Sequence, residues 1–334
     1  MKMRSLVISA LISAVALPVA ADVNIYTTRQ PELIQPVIDG FTAQTGIAVN
    51  IAFVQEGLIE RLKAEGARSP ADLVMTVDIA NLQKIVDADV IQQVSSDIID
   101  AAVPATLRSP DGLWFGLTTR ARIIYASRDR VADGEVTTYE DLASPAWQGR
   151  ICTRSGTHNY NLALMAAVIA HHGEEYAAEW AAGLHDNLAR KPEGNDRAQV
   201  KAIWAGECDI SLGNTYYMGQ MLADPEQVPW ADAVRIIFPV FEDGGTHVNI
   251  SGIAMTKAAP NRAEALQLME YLVSPEAQTI YASENTEYPV LESAEVSELV
   301  ASWGSFEADN VDLAELAGHR AAALRIMEEV DFDG

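Results

Sequence analysis

Between residues 22 and 90 the chain alternates short β-rich stretches with amphipathic helical ones, and this rhythm constrains the fold more than any other feature. "DVNIYTT" is β-rich, and "QPELIQPVIDGFTAQTG" then places Leu33, Ile34, Val37, Ile38 and Phe41 at helical spacing before a Thr45-Gly46 stop. "IAVNIAFV" is a second strand, followed by helix "GLIERLKAEGA", strand "ADLVMTV" and helix "IANLQKIVDADV". Strands alternating with helices predict an α/β domain with a largely parallel sheet. Pro36 falls inside the first predicted helix, where proline is disfavoured.

From "GLWFGLTTRARIIYAS" the chain reads as strand, then as a surface helix and turn in "TTYEDLASPAWQG", then as strand "RICTRS". A second α/β unit follows, with helices "NLALMAAVIAHHG", "EYAAEWAAGLHDNLA" and "RAQVKAIWAG", strand "CDISLG", and a strand-rich passage "AVRIIFPVFEDGGTHVNISGIAMT". Extended apolar stretches near 116–124 and 247–254 predict two crossings between lobes. The expected division is 22–118 with 252–295 as the first lobe and 119–251 with 296–334 as the second. No internal repeat or low-complexity linker interrupts it.

At the N-terminus, Lys2 and Arg4 precede an apolar run too short to span a membrane comfortably, which ends in Val19-Ala20-Ala21. This reads as an export signal, residues 1–21, and places the mature protein outside the cytoplasm. The formal charge is −24, and loss of Lys2 and Arg4 leaves 21 basic against 47 acidic residues, or −26. Such a surface excludes nucleic acid as a partner and keeps an exported monomer soluble. In an oxidising compartment the two cysteines, Cys152 and Cys208, are expected to form a disulfide tying two neighbouring strands.

Two α/β lobes behind an export signal point to a bilobal solute-binding protein, with its ligand in the crevice where strand ends and helix N-termini converge. Within that frame the stretch "GNTYYMGQM" is unusual, because Tyr216 and Tyr217 are adjacent directly after a predicted strand. Neighbouring strand side chains point to opposite faces, so both phenols can reach one point only if the backbone turns there. One reading makes them ligands of a hard, strongly Lewis-acidic cation such as ferric iron, since a free phenol ionises only near pH ~10. In the other, one packs in the core and its neighbour covers a sugar or peptide. "RSGTHNYN" adds Tyr160 at a helix entrance, with Ser155-Gly156-Thr157 ahead of it as an anion cradle of unpaired N–H groups. Arg29 and Gln30 occupy the matching entrance of the first lobe, ahead of Pro31, and an arginine there can grip a carboxylate or carbonate with two hydrogen bonds.

Over essentially the whole mature chain the sequence resembles the periplasmic ferric-ion-binding proteins that serve ABC iron transporters. The resemblance is carried by "VNIYTTRQPELIQP", "SPADLVMTVDIANL", "WFGLTTRARIIYAS", "RSGTHNYN", "LARKPEGNDRAQVKAIWAGE", "GNTYYMG", "HVNISG" and "EYPV". It implies a class II two-lobed fold with two hinge strands, and no enzymatic activity. It further implies a periplasmic monomer that hands Fe(3+) to an inner-membrane ABC permease, with Tyr160, Tyr216 and Tyr217 as ligands from the second lobe. Many members add a first-lobe histidine or tyrosine just after the arginine, but Gln30 and Pro31 stand there. The carboxylate some members carry after the "PAD" strand is also unmatched, with Val77 in place and Asp78 beside it. The chain is therefore similar to the subgroup in which a synergistic anion, carbonate or bicarbonate, completes the iron's shell. Arg29, Gln30 and Ser155–Thr157 would hold that anion, with Asn195 and Asn214 as surrounding hydrogen-bond donors. The rival is a metal-free protein of the same fold that binds an organic or inorganic anion through Arg29.

Other candidates carry less. His171 and His172 are sequence neighbours near a helix end, facing different directions. Arg120 and Arg122 share one strand face near the first crossing and are expected at the hinge or in solvent rather than on an anion. Ser155 and His158 lie close in sequence, which is no evidence for a catalytic triad, and no GxSxG elbow is present.

Overall fold

The computed structural model describes residues 22–291 and 293–334. The predicted export signal lies outside them. Among the described residues, ten strands run in chain order as β1 (Val23–Thr27), β2 (Val49–Phe53), β3 (Leu73–Val77), β4 (Ile91–Gln92), β5 (Phe115–Ser127), β6 (Ile151–Cys152), β7 (Ile210–Asn214), β8 (Val234–Ile237), β9 (Val248–Thr256) and β10 (Tyr288–Pro289). They follow the order β2-β1-β3-β9-β5-β7-β6, with β4 on β9 and β8 and β10 on β5. The opening β-α-β units give the parallel trio β2-β1-β3, as expected. The sheet as a whole is mixed, because β9 and β5 join it antiparallel.

Those two strands form the crossing. β5 has thirteen residues, all buried, twice the usual strand length. It pairs with β9 as far as Ala121↔Val248 and changes partner at Arg122, which faces Asn214 of β7. Residues 115–121 thus pair with β9 and residues 122–127 with β7 and β8, on either side of the crossing. The full burial of β9 explains why both stretches read as continuous apolar runs rather than alternating ones.

The first core packs Val23, Ile25, Phe41, Leu73 and Met75 against Leu268, Leu272 and Tyr281 from later helices. The second is built around the helix Asn159–Asp186, in which every residue from Asn161 to Ile169 is buried. A helix apolar all round can only be internal. Gly173, at φ 81°, breaks it into the two helices the sequence predicts. Pro36 is accommodated because the first long helix starts at Gln35, so proline falls in its first turn, where an N–H would be unpaired anyway. The expected surface helix in "TTYEDLASPAWQG" is instead two short 3-10 turns, Glu140–Ala143 and Pro145–Trp147. Tyr139, Leu142 and Trp147 are buried there, so core contacts rather than helical pairing fix the segment. Cys152 and Cys208 are bonded, with Cα atoms 5.8 Å apart, joining the end of β6 to the segment that leads into its parallel partner β7.

Candidate metal centre

Tyr160 occupies the first turn of helix Asn159–Asp186. His158 caps that turn, its Nδ1 accepting from the Tyr160 N–H at 3.2 Å. Burial, then the Arg154 charge, pushes the imidazole down to about 4, so it stays neutral and keeps the lone pair that the cap requires. Tyr216 and Tyr217 open the helix Tyr216–Ala223 one residue after β7. This strand-to-helix change is the backbone turn that lets adjacent phenols share one side. Their rings lie 4.3 Å apart, and the Tyr160 and Tyr216 hydroxyls are 3.1 Å apart.

The three phenols line one cleft of about 330 Å³ together with Arg29, Gln30, Arg120, Arg197 and Glu287. Burial raises the pKa of Tyr216 well above its ordinary value, and the neighbouring Tyr160 and Tyr217 push it further. Tyr217 is raised to about 12, by burial first, then by Tyr160 and Asp196. Each phenolate would repel the next, so Tyr216 and Tyr217 stay neutral near neutral pH unless a strong cation replaces their protons. Two helix N-termini beside them favour the ionised form once that cation is present.

Beneath Tyr160 lies a buried ionic cluster. Arg122 donates to Asn161 Oδ1 at 2.6 Å, Asp196 Oδ2 at 3.1 Å and Asn214 Oδ1 at 3.2 Å. Arg154 meets the other Asp196 oxygen at 3.2 Å. Both guanidinium groups face the Tyr160 ring, 5.9 and 5.1 Å from its centroid, within cation–π reach. The cluster ties the Tyr160 helix, through Asn161, to the end of β7 that precedes the tyrosine pair.

Arg29, buried, donates to Ser251 Oγ at 2.7 Å and to both Glu287 oxygens, at 3.2 and 2.6 Å. Its Nε has no partner among the described residues. Gln30 lies exposed at the cleft edge. Asn214 belongs to the Arg122 cluster, but Asn195 does not reach the cleft. It is exposed, and its Oδ1 caps helix Asp196–Ala205 by accepting from Ala198 N. The fully buried neighbour Asp196 takes the supporting position instead.

Ser155, Gly156 and Thr157 do form an anion cradle, outside the residues lining the cleft, and the anion in it is the chain's own Asp333. Ser155 Oγ donates to Asp333 at 2.6 Å, the Gly156 N–H at 2.7 Å and Thr157 Oγ1 at 3.2 Å. A Cβ on Gly156 would come within 2.5 Å of the Phe332 ring, so glycine is what allows the tail to dock there. Asp78, beside Val77, is buried at φ 81° and is occupied as a helix cap, accepting from Ala80 N at 2.8 Å.

Arg120 and Arg122, expected at the hinge or in solvent, are both buried at the strand crossing. Arg120 lines the cleft, donating to Ser251 Oγ at 3.2 Å. Their spacing on one face of β5 signalled a shared environment, whereas burial depended on partners far along the chain. Glu287 carried no local signal, since its partner Arg29 is 258 residues away. His171 and His172 stay apart from the cleft, the first between Asp243 and Asp309 and the second on Glu140.

Residues 68–309 match the sequence pattern of the bacterial extracellular solute-binding proteins. The chain belongs to that family. It is a family of binding proteins rather than enzymes. The chain is 45% identical over 314 residues to iron uptake protein A1 of Synechocystis, covering 93% of this chain and 87% of the relative. Ferric iron-binding protein A of Mannheimia haemolytica, solved in an open conformation, superposes with a TM-score of 0.91 at 48% identity, over 94% of this chain and all of that one. A Trichodesmium protein solved with iron and citrate ligands gives a TM-score of 0.90 at 42% identity, covering 93% and 99%. These neighbours and the strand order make the fold that of the two-lobed periplasmic binding proteins.

Proposed function

We propose that this protein binds ferric iron in the periplasm and delivers it to an ABC permease of the inner membrane, with Tyr160, Tyr216 and Tyr217 as its ligands. The observation that carries this reading is the convergence of three phenols from two helix N-termini, two of them with hydroxyls 3.1 Å apart. Relatives named for iron uptake and ferric iron binding support it. Three phenolates neutralise one ferric ion, and carbonate or bicarbonate, held by Arg29 and Gln30, completes the shell. The citrate of the Trichodesmium structure makes a carboxylate anion the second candidate for that place.

In this account each tyrosine gives up its proton to bulk as iron arrives. The Arg122–Asp196–Arg154 cluster holds Tyr160 in register with the tyrosine pair. Ferric titration of the exported protein should then produce a visible phenolate-to-iron charge-transfer band. Tyr216→Phe and Tyr217→Phe should each lose most of the iron affinity with the fold intact. A colourless wild-type protein at saturating ferric salt, or unchanged affinity in both variants, refutes the assignment.

A further inference from the structure

Arg29 has its charge already answered inside the cleft wall. Two of its donors engage the Glu287 carboxylate, which also accepts from Thr118 Oγ1 at 3.0 Å, and the side chains of the pair are only 3% and 6% exposed. An anion arriving at Arg29 therefore meets a guanidinium that carries a fixed negative charge on its other edge. The segment bearing Glu287 also touches the tyrosine helix. Thr286, at φ 53°, donates to the Tyr216 carbonyl at 3.3 Å, and a Cβ on Gly219 would come within 2.5 Å of Thr286 Oγ1.

We propose that Glu287 is a specificity-determining residue, the resident counter-ion of Arg29, whose charge limits how strongly the cleft takes an accompanying anion and disfavours anions of higher charge. This rests on the reading of Arg29 as the anion's cationic partner. Coulomb repulsion between Glu287 and an anion on the opposite edge of the same guanidinium acts across about 8 Å in a poorly hydrated wall, where an effective dielectric of about 20 applies. At that strength, neutralising Glu287 changes anion affinity by about tenfold or more. A dianion feels the carboxylate about twice as strongly as a monoanion, so its gain is the larger. Glu287 thus tunes the anion without touching iron.

The test uses iron-loaded protein in carbonate-free buffer, challenged by a fixed concentration of a competing chelator, with retained iron read from its visible band. Bicarbonate and malonate are the added anions. In Glu287→Gln the half-saturating bicarbonate concentration is expected to fall about tenfold relative to wild type, and that of malonate further. A wild type indifferent to both anions beside a responsive Glu287→Gln would support the role of Glu287 while removing the exogenous anion from the native site. A wild type that depends on bicarbonate, beside a variant with unchanged or weaker anion response, overturns the proposal and leaves Arg29 in place. No anion response in either protein overturns both. If Glu287→Gln does not fold, the double variant Glu287→Met with Thr118→Val decides, because it removes the carboxylate together with the hydroxyl that would otherwise lose its acceptor. Its half-saturating concentrations should fall, and unchanged values refute the proposal.

Discussion

Replacing Asp196 with asparagine should move stability and metal binding in opposite directions. Asp196 is fully buried and answers two arginines, Arg122 at 3.1 Å and Arg154 at 3.2 Å. Removing its charge leaves both cations in a dehydrated setting with one neutral oxygen between them. Breaking a buried pair this way costs about 3–5 kcal/mol. The same carboxylate raises the pKa values of Tyr216 and Tyr217, after burial and the phenols' mutual repulsion. Its loss therefore makes the phenols easier to ionise. Urea unfolding of the iron-free Asp196→Asn protein should show the stability loss, while the midpoint of the charge-transfer band against pH moves to lower pH. Stability within about 0.5 kcal/mol of wild type would show that the cluster is not a structural support. A midpoint that stays or rises would remove Asp196 from the electrostatics of the tyrosines.

Two further outcomes follow from the buried groups. His247 is buried with its pKa lowered from 6.5 to about 4, burial being the first cause. The unfolded chain binds that proton from pH ~6.5 downward and the folded one only near 4, so stability falls across this window by about 3 kcal/mol. His247→Asn should flatten the decline in urea melts, and an unchanged slope would contradict the assignment. The Cys152–Cys208 bridge closes a loop with a separation of 56 residues, so replacing both cysteines by alanine should lower stability by about 2–4 kcal/mol in the same melts. A double variant as stable as wild type would show that β6 and β7 hold without it.

The legible parts of this fold were those written locally. Apolar spacing at Leu33, Val37 and Phe41 and the repeated strand–helix rhythm predict the parallel trio β2-β1-β3, and two long apolar stretches mark the crossing strands β5 and β9. The tyrosines were visible because two phenols directly after a strand and a third at a helix entrance are unusual in themselves. What could not be read was charge pairing across the chain. Arg29 signalled an anion site, yet nothing near residue 29 announces Glu287, and nothing near Arg122 announces Asp196, 74 positions on. The Ser155–Thr157 cradle was recognised by its chemistry, but its occupant, Asp333, comes from 176 to 178 residues away. The antiparallel entry of β9 and β5 is likewise a matter of topology, which local periodicity does not encode.

The central claim is that three phenols exchange their protons for one ferric ion, and the most direct measurement is the pH dependence of ferric affinity. Affinity should be taken by competition with a chelator of known proton stoichiometry, following the visible band. With Tyr217 raised to about 12 and Tyr216 well above its ordinary value, these phenols are protonated in the iron-free protein near neutrality. Apparent affinity should then fall by about one decade per proton for each unit of acidification, or about three decades per unit for three phenols. Tyr160→Phe should reduce that slope by about one. A slope near zero, or one unchanged by the loss of Tyr160, would contradict the account.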